Sequence, residues 1–483
     1  MTRLMRTLTV VLGVLILLGG GSVLVIHASR SSAPALASVG ASSPATPTTV
    51  GAVTAGDGTT APPTSRLGTT TVPPPPTTPT TLSPLATLTT GLDTALAGTN
   101  SCLTVTDGGG RVLYQHQGDT PLTPASTQKL LVASAALTTL GPNYRFVTKV
   151  VAPTPPVAGQ VPALWLVGGG DPLLASPEFM AANAARARQA GYPWTPLAGL
   201  SDALAAAGIK SVPGGIRGDD SYEDRLRFLP VWPAIYQQQD QIGLLSALSV
   251  NEGVQFTPPK SPLAPDPPAY AASELARLLT AHQPAGTPPV AGGPDQAAPA
   301  AAVVVASVPS APVYQIVEAM LRASDNWIAE LLVRAIDKAS GGAGTTAGGT
   351  AVVLHDAAAA GIPLNGVQMD DGSGLSHTDR ATCRELLAAL DLGRQPPFAP
   401  ILAGLAVAGQ TGTLATRYQG TPLAGQLRAK TGSLDNAIGM VGTLSGPTPV
   451  QFAFLENDAL SETALYARED AVAAAVGTYA RSG

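Results

Sequence analysis

Three short peptides, in a fixed order, carry the side chains of this chain that could do chemistry. They are Ser126-Thr127-Gln128-Lys129, Ser324-Asp325-Asn326 and Lys430-Thr431-Gly432-Ser433. The first places a hydroxyl and an amine three residues apart, and the other two add a hydroxyl–amide pair and a second amine. Because an amine can remove the proton of a nearby serine hydroxyl, this set predicts covalent catalysis by a serine.

Lysine is scarce in this chain, which makes the lysines of these peptides informative. Only six lysines occur among 27 basic residues, and only Lys129 has a serine three positions before it. Lys430 is the only lysine followed by Thr-Gly. The Ser-x-Asn pattern of the second peptide is weaker evidence, because Ser249-Val250-Asn251 also fits it. Apolar residues at helical spacing on both sides of Ser324 nevertheless predict that it lies in a break between two core-packing helices.

The first peptide predicts a nucleophile and its base on one helix. Apolar residues after Lys129 indicate a helix whose first turn carries Ser126 and Lys129 on the same face. The helix dipole and burial would both favour a neutral amine, so Lys129 is expected to accept the Ser126 proton. Taken alone, the peptide also fits a helix-capping serine followed by a solvent-exposed lysine.

The second peptide predicts a proton relay that faces the nucleophile. Ser324 is expected to pass a proton to the leaving amine, and Asn326 to hydrogen-bond either Lys129 or the substrate. Asp325 is expected to point away from the site. On its own this tripeptide would favour a polar turn between helices, a position that Ser, Asp and Asn all prefer.

The third peptide predicts a substrate-binding strand. Lys430 is expected to end a strand and to bind a terminal carboxylate of the substrate, with Thr431 offering a hydroxyl to the same group. Gly432 leaves the strand edge bare for an extended peptide, and Ser433 completes the binding set. A lysine at a strand end followed by a tight turn is the plain alternative.

Composition narrows the class of protein. With 483 residues, of which 45% are hydrophobic and 12% charged, the chain can bury a large core. The net charge of −5 and the lack of a basic run longer than a pair exclude a nucleic acid as partner. The five histidines and two cysteines show no metal-binding spacing, so neither a metal nor another cofactor is predicted.

Residues 1–30 predict entry into a membrane. Arg3 and Arg6 precede an uncharged apolar run over residues 8–26, which is long for a cleaved signal peptide and close to the length that spans a bilayer. Ala35-Leu36-Ala37 fits a cleavage site, so a signal peptide and a membrane anchor both stay open. Residues 31–83, rich in Pro, Thr and Ser, predict an extended linker. The remainder is expected outside the cytoplasm, at the cell wall or cell surface, either secreted or held to the membrane.

Both ends of the chain contribute to one predicted sheet. Strands are expected at 102–106, 111–115, 426–430, 437–444 and 450–455, and helices at 85–97 and 462–480. This pattern predicts the α/β (α+β) class, with an antiparallel five-stranded sheet flanked by helices. Residues 153–305 are rich in Pro and Gly and predict an inserted, loop-rich accessory region between two parts of a catalytic domain, 84–152 and 306–483.

Further peptides extend the pattern beyond the three central ones. They are Gly168-Gly-Gly-Asp171-Pro172, Gly218-Asp-Asp-Ser221-Tyr222, Ser246-Ala-Leu-Ser-Val-Asn251 and Asp371-Gly-Ser-Gly-Leu-Ser376. With them, residues 85–480 resemble the low-molecular-mass class C penicillin-binding proteins, which are D-alanyl-D-alanine carboxypeptidases and endopeptidases.

This resemblance implies a fold, an activity and partners. The fold would be a penicillin-binding transpeptidase-like domain, interrupted between its first and second motifs. The activity would be serine-type hydrolysis of peptidoglycan stem peptides through an acyl-enzyme at Ser126, inhibited by β-lactams, with the backbone N–H groups of Ser126 and Ser433 as the oxyanion hole. The sequence departs from the family's pattern at two points: the inserted region is short for the family, and His377 stands where an arginine is common. Both concern what the accessory region binds more than they concern catalysis.

Other functions fit the same residues. A serine β-lactamase or esterase would use the same parts and differ only in how fast water reaches the acyl-enzyme, and a catalytically silent peptidoglycan-binding module would use none of them. The segment Asp371-Gly-Ser-Gly-Leu-Ser376 is interpreted as a structural, glycine-supported turn without a catalytic role.

The two cysteines could form a disulfide bond. Cys102 and Cys383 are the only cysteines, and export would place them where disulfides persist. Two buried, unpaired thiols remain the alternative, because sequence carries no geometry.

Overall fold

The computed structural model describes residues 82–482. Its strands are β1 Ser101–Asp107, β2 Val112–His116, β3 Val147–Ala152, β4 Leu164–Val167, β5 Leu174–Ala175, β6 Thr195–Pro196, β7 Ile216–Asp219, β8 Gly292–Asp295, β9 Val303–Pro309, β10 Ala406–Val407, β11 Leu427–Leu434, β12 Ala437–Leu444 and β13 Val450–Glu456. Its helices are α1 Pro84–Leu96, α2 Lys129–Ala135, α3 Pro177–Ala182, α4 Ala184–Ala190, α5 Ala198–Ala206, α6 Pro267–Ala281, α7 Val313–Ala323, α8 Asn326–Ala339, α9 Thr346–Ala359, α10 Cys383–Leu392, α11 Ala399–Ala403 and α12 Glu462–Ala480.

The predicted signal peptide or anchor at residues 1–30 lies outside the described residues, as does nearly all of the predicted linker at residues 31–83. Between residues 82 and 482, no helix is both long enough and apolar enough to cross a membrane.

The main sheet is antiparallel and combines both ends of the chain, in the order β10-β11-β12-β13-β1-β2. Its five predicted strands are present, and the prediction of five strands was one short because β10 has only two residues and so no periodicity to detect. The prediction that a strand ends at Lys430 was also wrong. The strand β11 continues to Leu434, and each residue of the Lys-Thr-Gly-Ser peptide pairs with β12.

Alternation along β13 shows how the two faces of this sheet are covered. Phe452 and Phe454 pack in one apolar cluster with residues of α1 and α12. Ala453 and Leu455 point the other way, into a cluster with residues of α2, α7, α8 and α10. The helices that carry the candidate catalytic residues therefore lie on one face of the sheet.

A disulfide bond joins this face to the sheet. Cys102 of β1 and Cys383, the first residue of α10, are bonded, with their Cα atoms 5.9 Å apart and a sequence separation of 281. Both side chains are fully buried. The pairing that the sequence left open is thus present in the structure.

A second sheet lies in the middle of the chain, in the order β8-β7-β4-β3-β9. Residues 153–305 are more regular than their Pro and Gly content indicates, because they supply three of these strands and helices α3 to α6. The strands β3 and β9 extend this sheet across both expected ends of the insertion. Each inserted strand of this sheet spans only four residues, which is too few to show a clear alternating pattern.

Candidate active site

Ser126 lies in a single 3-10 turn, Ala125–Gln128, that runs directly into α2. Ala125 has φ +46°, a left-handed conformation that costs a residue with a Cβ on the order of 1–3 kcal/mol. Thr127 and Lys129 are buried, whereas Ser126 is partly exposed. The turn therefore presents the Ser126 hydroxyl to solvent while the residues behind it hold the turn in the core.

The Lys129 amine reaches three acceptors. Its Nζ lies 2.8 Å from Ser126 Oγ, 2.7 Å from Asn326 Oδ1 and 2.5 Å from the Ser373 carbonyl oxygen. The side chain is fully buried. Burial lowers the pKa of Lys129 to about 8, although nearby carboxylates act in the opposite direction. An amine with this pKa can accept a proton from Ser126 near neutral pH.

Ser324 ends α7 in a left-handed conformation, with φ +60°, and α8 begins two residues later. The predicted break between two helices is confirmed. Asp325 caps α8, since its Oδ1 accepts from the Ile328 N–H at 2.9 Å. Asp325 therefore points away from Ser126, while Asn326 turns its Oδ1 toward Lys129.

Lys430 approaches Ser324 as Lys129 approaches Ser126. Its Nζ donates to Ser324 Oγ at 2.8 Å, and the side chain is fully buried. Burial, together with the charge of Lys129, holds the pKa of Lys430 well below its usual value. The sequence predicted a lysine at a strand end that binds a terminal carboxylate, but the structure places its amine beneath the strand, against Ser324.

The edge of β11 is open where the Lys-Thr-Gly-Ser peptide lies. Strand β10 pairs only with Arg428 and Ala429. Beyond them, the Thr431 hydroxyl donates to the Thr413 hydroxyl at 2.8 Å, and the Ser433 side chain is exposed. An extended peptide could pair with this edge, and the hydroxyl groups of Thr431 and Ser433 would then lie close to the peptide's end.

Gly432 brings β11 against the Ser126 turn. A Cβ at this position would lie 2.8 Å from the Pro124 carbonyl oxygen, 3.1 Å from Thr127 N and 3.2 Å from Ser126 N. Real Cβ atoms almost never come so close to backbone, so only glycine fits without movement of the strand or the turn.

Sequence reasoning missed a direct role for the loop 371–376, which it interpreted as structural. The Ser373 carbonyl oxygen accepts from Lys129, and Gly374 packs so closely that a Cβ there would lie 2.0 Å from the Ala125 carbonyl oxygen. The loop is held from behind by Glu330, whose Oε1 accepts from the Ser373 N–H at 2.7 Å. Two glycines within four residues were the only signal of this close approach in the sequence.

Residues of the inserted region form one side of the site. The Gln241 carbonyl oxygen accepts from Asn326 Nδ2 at 3.0 Å, and Trp232 Nε1 donates to Asp371 Oδ2 at 2.7 Å. The Tyr236 hydroxyl lies 2.9 Å from His377 Nε2. This side of the site could not be assigned from sequence, because Gln241, Trp232 and Tyr236 all lie outside any recognised peptide.

A second contact from the inserted region holds the cap of α8. Arg186 Nη2 donates to Asp325 Oδ2 at 2.8 Å, and the Tyr192 hydroxyl donates to the same oxygen. Arg186 Nη1 also donates to Glu252 at 2.8 Å. The residue between Ser324 and Asn326 is therefore fixed by side chains from outside the helix it caps.

The assembled groups suit acyl transfer by a serine. They provide a presented hydroxyl, a buried amine of lowered pKa, a second hydroxyl–amine pair and an open strand edge within one cleft. Among the residues that the structure describes, no group of three or more His, Cys, Asp or Glu side chains is placed to hold a metal ion.

The chain matches the D-Ala-D-Ala carboxypeptidase 3 (S13) family over residues 85–258 and 265–479. A carboxypeptidase of Mycobacterium tuberculosis is 33% identical, with 72% of this chain and 74% of that protein covered. A D-alanyl-D-alanine carboxypeptidase of an Actinomadura species is 29% identical, with 80% of this chain and 83% of the relative covered. These matches confirm the resemblance that the peptides indicated.

The fold is similar to that of penicillin binding protein 4 from Haemophilus influenzae. The TM-score is 0.62 at 19% identity, with 77% of this chain and 94% of that chain covered. This likeness confirms the predicted transpeptidase-like fold. Since the family match also spans most of the sequence, the chain is a serine peptidase that belongs to the D-Ala-D-Ala carboxypeptidase 3 (S13) family.

Proposed function

We propose that this protein cleaves the D-Ala-D-Ala ends of peptidoglycan stem peptides, as carboxypeptidase or endopeptidase, through an acyl-enzyme at Ser126. The observation that carries the proposal is the 2.8 Å contact between Ser126 Oγ and the buried Lys129 amine, in a chain whose family is defined by this activity. β-Lactams would acylate the same hydroxyl. A solved relative of similar fold is in complex with a β-lactam, at a TM-score of 0.57.

Acylation begins when Lys129 accepts the Ser126 proton and Ser126 Oγ attacks the carbonyl carbon of the penultimate D-Ala. The negative oxygen that develops would be bound by the N–H groups of Ser126 and Ser433. The Asn326 amide has both polar atoms in contact with protein, through Lys129 and the Gln241 carbonyl. We therefore propose that Asn326 orients Lys129 through Oδ1. Its Nδ2, which has two hydrogens, would bind the substrate with the one that the Gln241 carbonyl does not accept.

Departure of the terminal D-Ala requires a proton on its amine. Ser324 supplies this proton and is recharged from the Lys430 amine, which donates to it at 2.8 Å. Before the second step, the proton that Lys129 took from Ser126 is lost to solvent and Lys430 takes one up, so both amines return to their starting forms. Water then attacks the acyl-enzyme, with Lys129 again as the base. Lys129 returns the proton to Ser126 Oγ as the ester bond breaks and the shortened peptide leaves. Each lysine thus serves one serine, and neither step needs a cofactor.

The carboxylate of the terminal D-Ala would lie at the open edge of β11. Thr431 and Ser433 offer hydroxyl groups there, and the bare Gly432 lets the peptide backbone come close. The Lys430 amine lies beneath the strand, and in its protonated form it would attract the carboxylate from there. The Thr431 hydroxyl donates to Thr413, so on substrate binding it would turn its hydrogen to the carboxylate, and the Thr413 hydroxyl would donate to Thr431 in turn.

The chain would act outside the cytoplasm, where peptidoglycan lies. We propose that residues 1–30 direct export and stay as a membrane anchor if uncleaved, and that residues 31–83 space the body from the membrane. We assign residues 84–152 and 306–483 to the catalytic domain and residues 153–305 to an inserted accessory region. The contacts of Trp232 and Gln241 support a role for this region in shaping the cleft.

A fluorescent penicillin tests the proposal. Wild-type protein should be labelled persistently at Ser126, and Ser126→Ala should lose labelling and at least ~10³ of the hydrolytic rate. Ser134→Ala is the matched control, since it removes another hydroxyl of α2, one that bonds the Leu131 carbonyl, and it should label normally. Rapid turnover of the label would indicate a β-lactamase or esterase, and no labelling of the wild type would indicate a silent binding module.

A further inference from the structure

Behind Lys129 lies a buried carboxyl group to which the proposed mechanism gives no role. Glu330 stands one helical turn after Asn326 on α8 and is fully buried. Its Oε1 accepts from the Gly372 N–H at 2.9 Å and from the Ser373 N–H at 2.7 Å. Within the described residues its Oε2 has no hydrogen-bond partner. A buried carboxyl with an unused oxygen is costly, which makes a structural role alone an insufficient account.

Only one residue, Ser373, separates this carboxyl from Lys129. The amide that donates to Glu330 and the carbonyl that accepts from Lys129 both belong to Ser373. The adjacent Gly372 lies directly on α8, where a Cβ would be 2.5 Å from Val333 Cγ2 and 2.9 Å from the Ala329 carbonyl oxygen. The loop therefore cannot shift toward the helix, and the position of the Ser373 carbonyl depends on Glu330.

We propose that Glu330 is a positioning residue for Lys129, which holds the Ser373 carbonyl against the amine and sets by its charge the pH at which the amine becomes a base. This inference rests on the proposed role of Lys129 as the base for Ser126. The carboxylate, when ionised, favours the ammonium form of Lys129. Neutralising it therefore makes the amine available at lower pH.

Other charged groups face the same region and act in known directions. Asp371, Asp379 and Asp325 also favour the ammonium form of Lys129, and Lys430 lies close enough for the two lysines to oppose each other's charge. Burial raises the pKa of Glu330, as does the charge of Asp371, whereas hydrogen bonds from Ser373 and the charge of Arg334 lower it. Replacing Glu330 alone leaves these other groups in place.

The replacement Glu330→Gln separates charge from geometry. Glutamine keeps an oxygen that can accept from both amides, but it does not ionise. Glu385→Gln is the matched control: Glu385 is also fully buried, accepts from the Thr382 N–H at 3.1 Å, and has a second oxygen without a partner in the described structure. Burial likewise raises the pKa of Glu385 to about 8, but Glu385 is not among the groups that act on Lys129.

The experiment measures the second-order rate of labelling by a fluorescent penicillin against pH, on the full chain. In Glu330→Gln the midpoint at which labelling rises should move to lower pH by about one unit, and in Glu385→Gln it should stay at the wild-type value. An unmoved midpoint in Glu330→Gln, or an equal shift in the control, would overturn the inference. Wild-type protein that labels at Ser126 without any rise with pH would instead overturn the base assignment of Lys129.

A second variant tests whether Glu330 holds the Ser373 carbonyl in position. It also keeps the proposal testable if Glu330→Gln folds poorly. Glu330→Asp keeps the charge but withdraws the carboxyl by one methylene group, so the Ser373 peptide loses its support. Its maximal labelling rate should fall by about tenfold while the pH midpoint stays within the wild-type range. A maximal rate equal to that of the wild type would overturn the inference.

Discussion

The substitution Gly432→Ala tests how closely β11 must approach the nucleophile. The added methyl carbon would stand 2.8 Å from the Pro124 carbonyl oxygen, whereas carbon and oxygen atoms in proteins usually approach no closer than about 3.3 Å. Strand and turn must therefore separate by roughly 0.5 Å. Eight registered pairs tie β11 to β12, so the strand cannot bend away at Gly432 alone.

The cost to catalysis follows from which atoms move. The methyl carbon would lie 3.2 Å from Ser126 N, the proposed oxyanion donor, and would crowd that amide. Loss of one such donor costs on the order of 10²–10³ in rate. We therefore expect acylation to fall about 10²-fold, equivalent to about 2.7 kcal/mol. Overpacking should cost about 1–3 kcal/mol of folding free energy, so the protein stays folded.

The matched control is Gly439→Ala, because Gly439 pairs with Gly432 across the two strands. Its methyl carbon would lie 2.6 Å from Leu455 Cδ2, the end of a flexible side chain, and 3.2 Å from both the Phe454 carbonyl oxygen and Thr127 Cγ2. It would therefore touch the Ser126 turn only at a side-chain methyl group and not at the Ser126 amide. The assay is the rate of penicillin labelling together with the midpoint of urea unfolding. Gly439→Ala should lose stability but keep labelling within about threefold. Equal losses of labelling in both variants, or none in Gly432→Ala, would refute the reasoning.

Three further predictions concern the base, the cap of α8 and the disulfide. The labelling rate of wild-type protein should rise as pH passes through about 8, because only the neutral Lys129 amine accepts a proton; a rate that falls over this range would contradict it. Arg186→Met leaves the buried Asp325 carboxylate without its cation, so urea unfolding should show a loss of about 3 kcal/mol, with slower labelling. Replacing Cys102 and Cys383 together by alanine should cost about 3–5 kcal/mol in the same assay, since the bond closes a loop of 281 residues; a free thiol in the native protein would contradict this.

Elements with a strong local pattern were predictable from sequence. The last helix was expected at residues 462–480, and α12 has these bounds. The strand at residues 437–444 likewise matches β12. Both are uninterrupted by proline and begin directly after a turn or capping residue, Ser461 for α12 and Asn436 for β12. The two-residue strand β10 and the four-residue strands β7 and β8 depend on pairing partners far away in sequence, so their own residues could not reveal them.

Part of the site was predictable because its chemistry is concentrated in side chains. Ser126, Lys129 and Ser324 stand out by residue type and spacing. In the structure Lys129 contacts Ser126, Lys430 contacts Ser324, and the two amines lie close enough to affect each other's charge. The Ser373 carbonyl and the Gln241 carbonyl did not stand out, because every residue carries such a group and only the fold decides where it points. The burial of Lys430 is also a consequence of packing rather than of its neighbours in sequence.

The inserted region is connected to catalysis through these backbone and capping contacts. Gln241 and Arg186 each bind a residue of the Ser-Asp-Asn peptide, one through Asn326 and one through Asp325. Asn326 in turn binds Lys129, so the base is held by a residue that the insertion orients. An insertion that only carried an accessory surface would not need to supply these partners. Its position between the first and second catalytic peptides therefore reflects a physical dependence, in which residues from the middle of the chain complete the geometry that Ser126 requires.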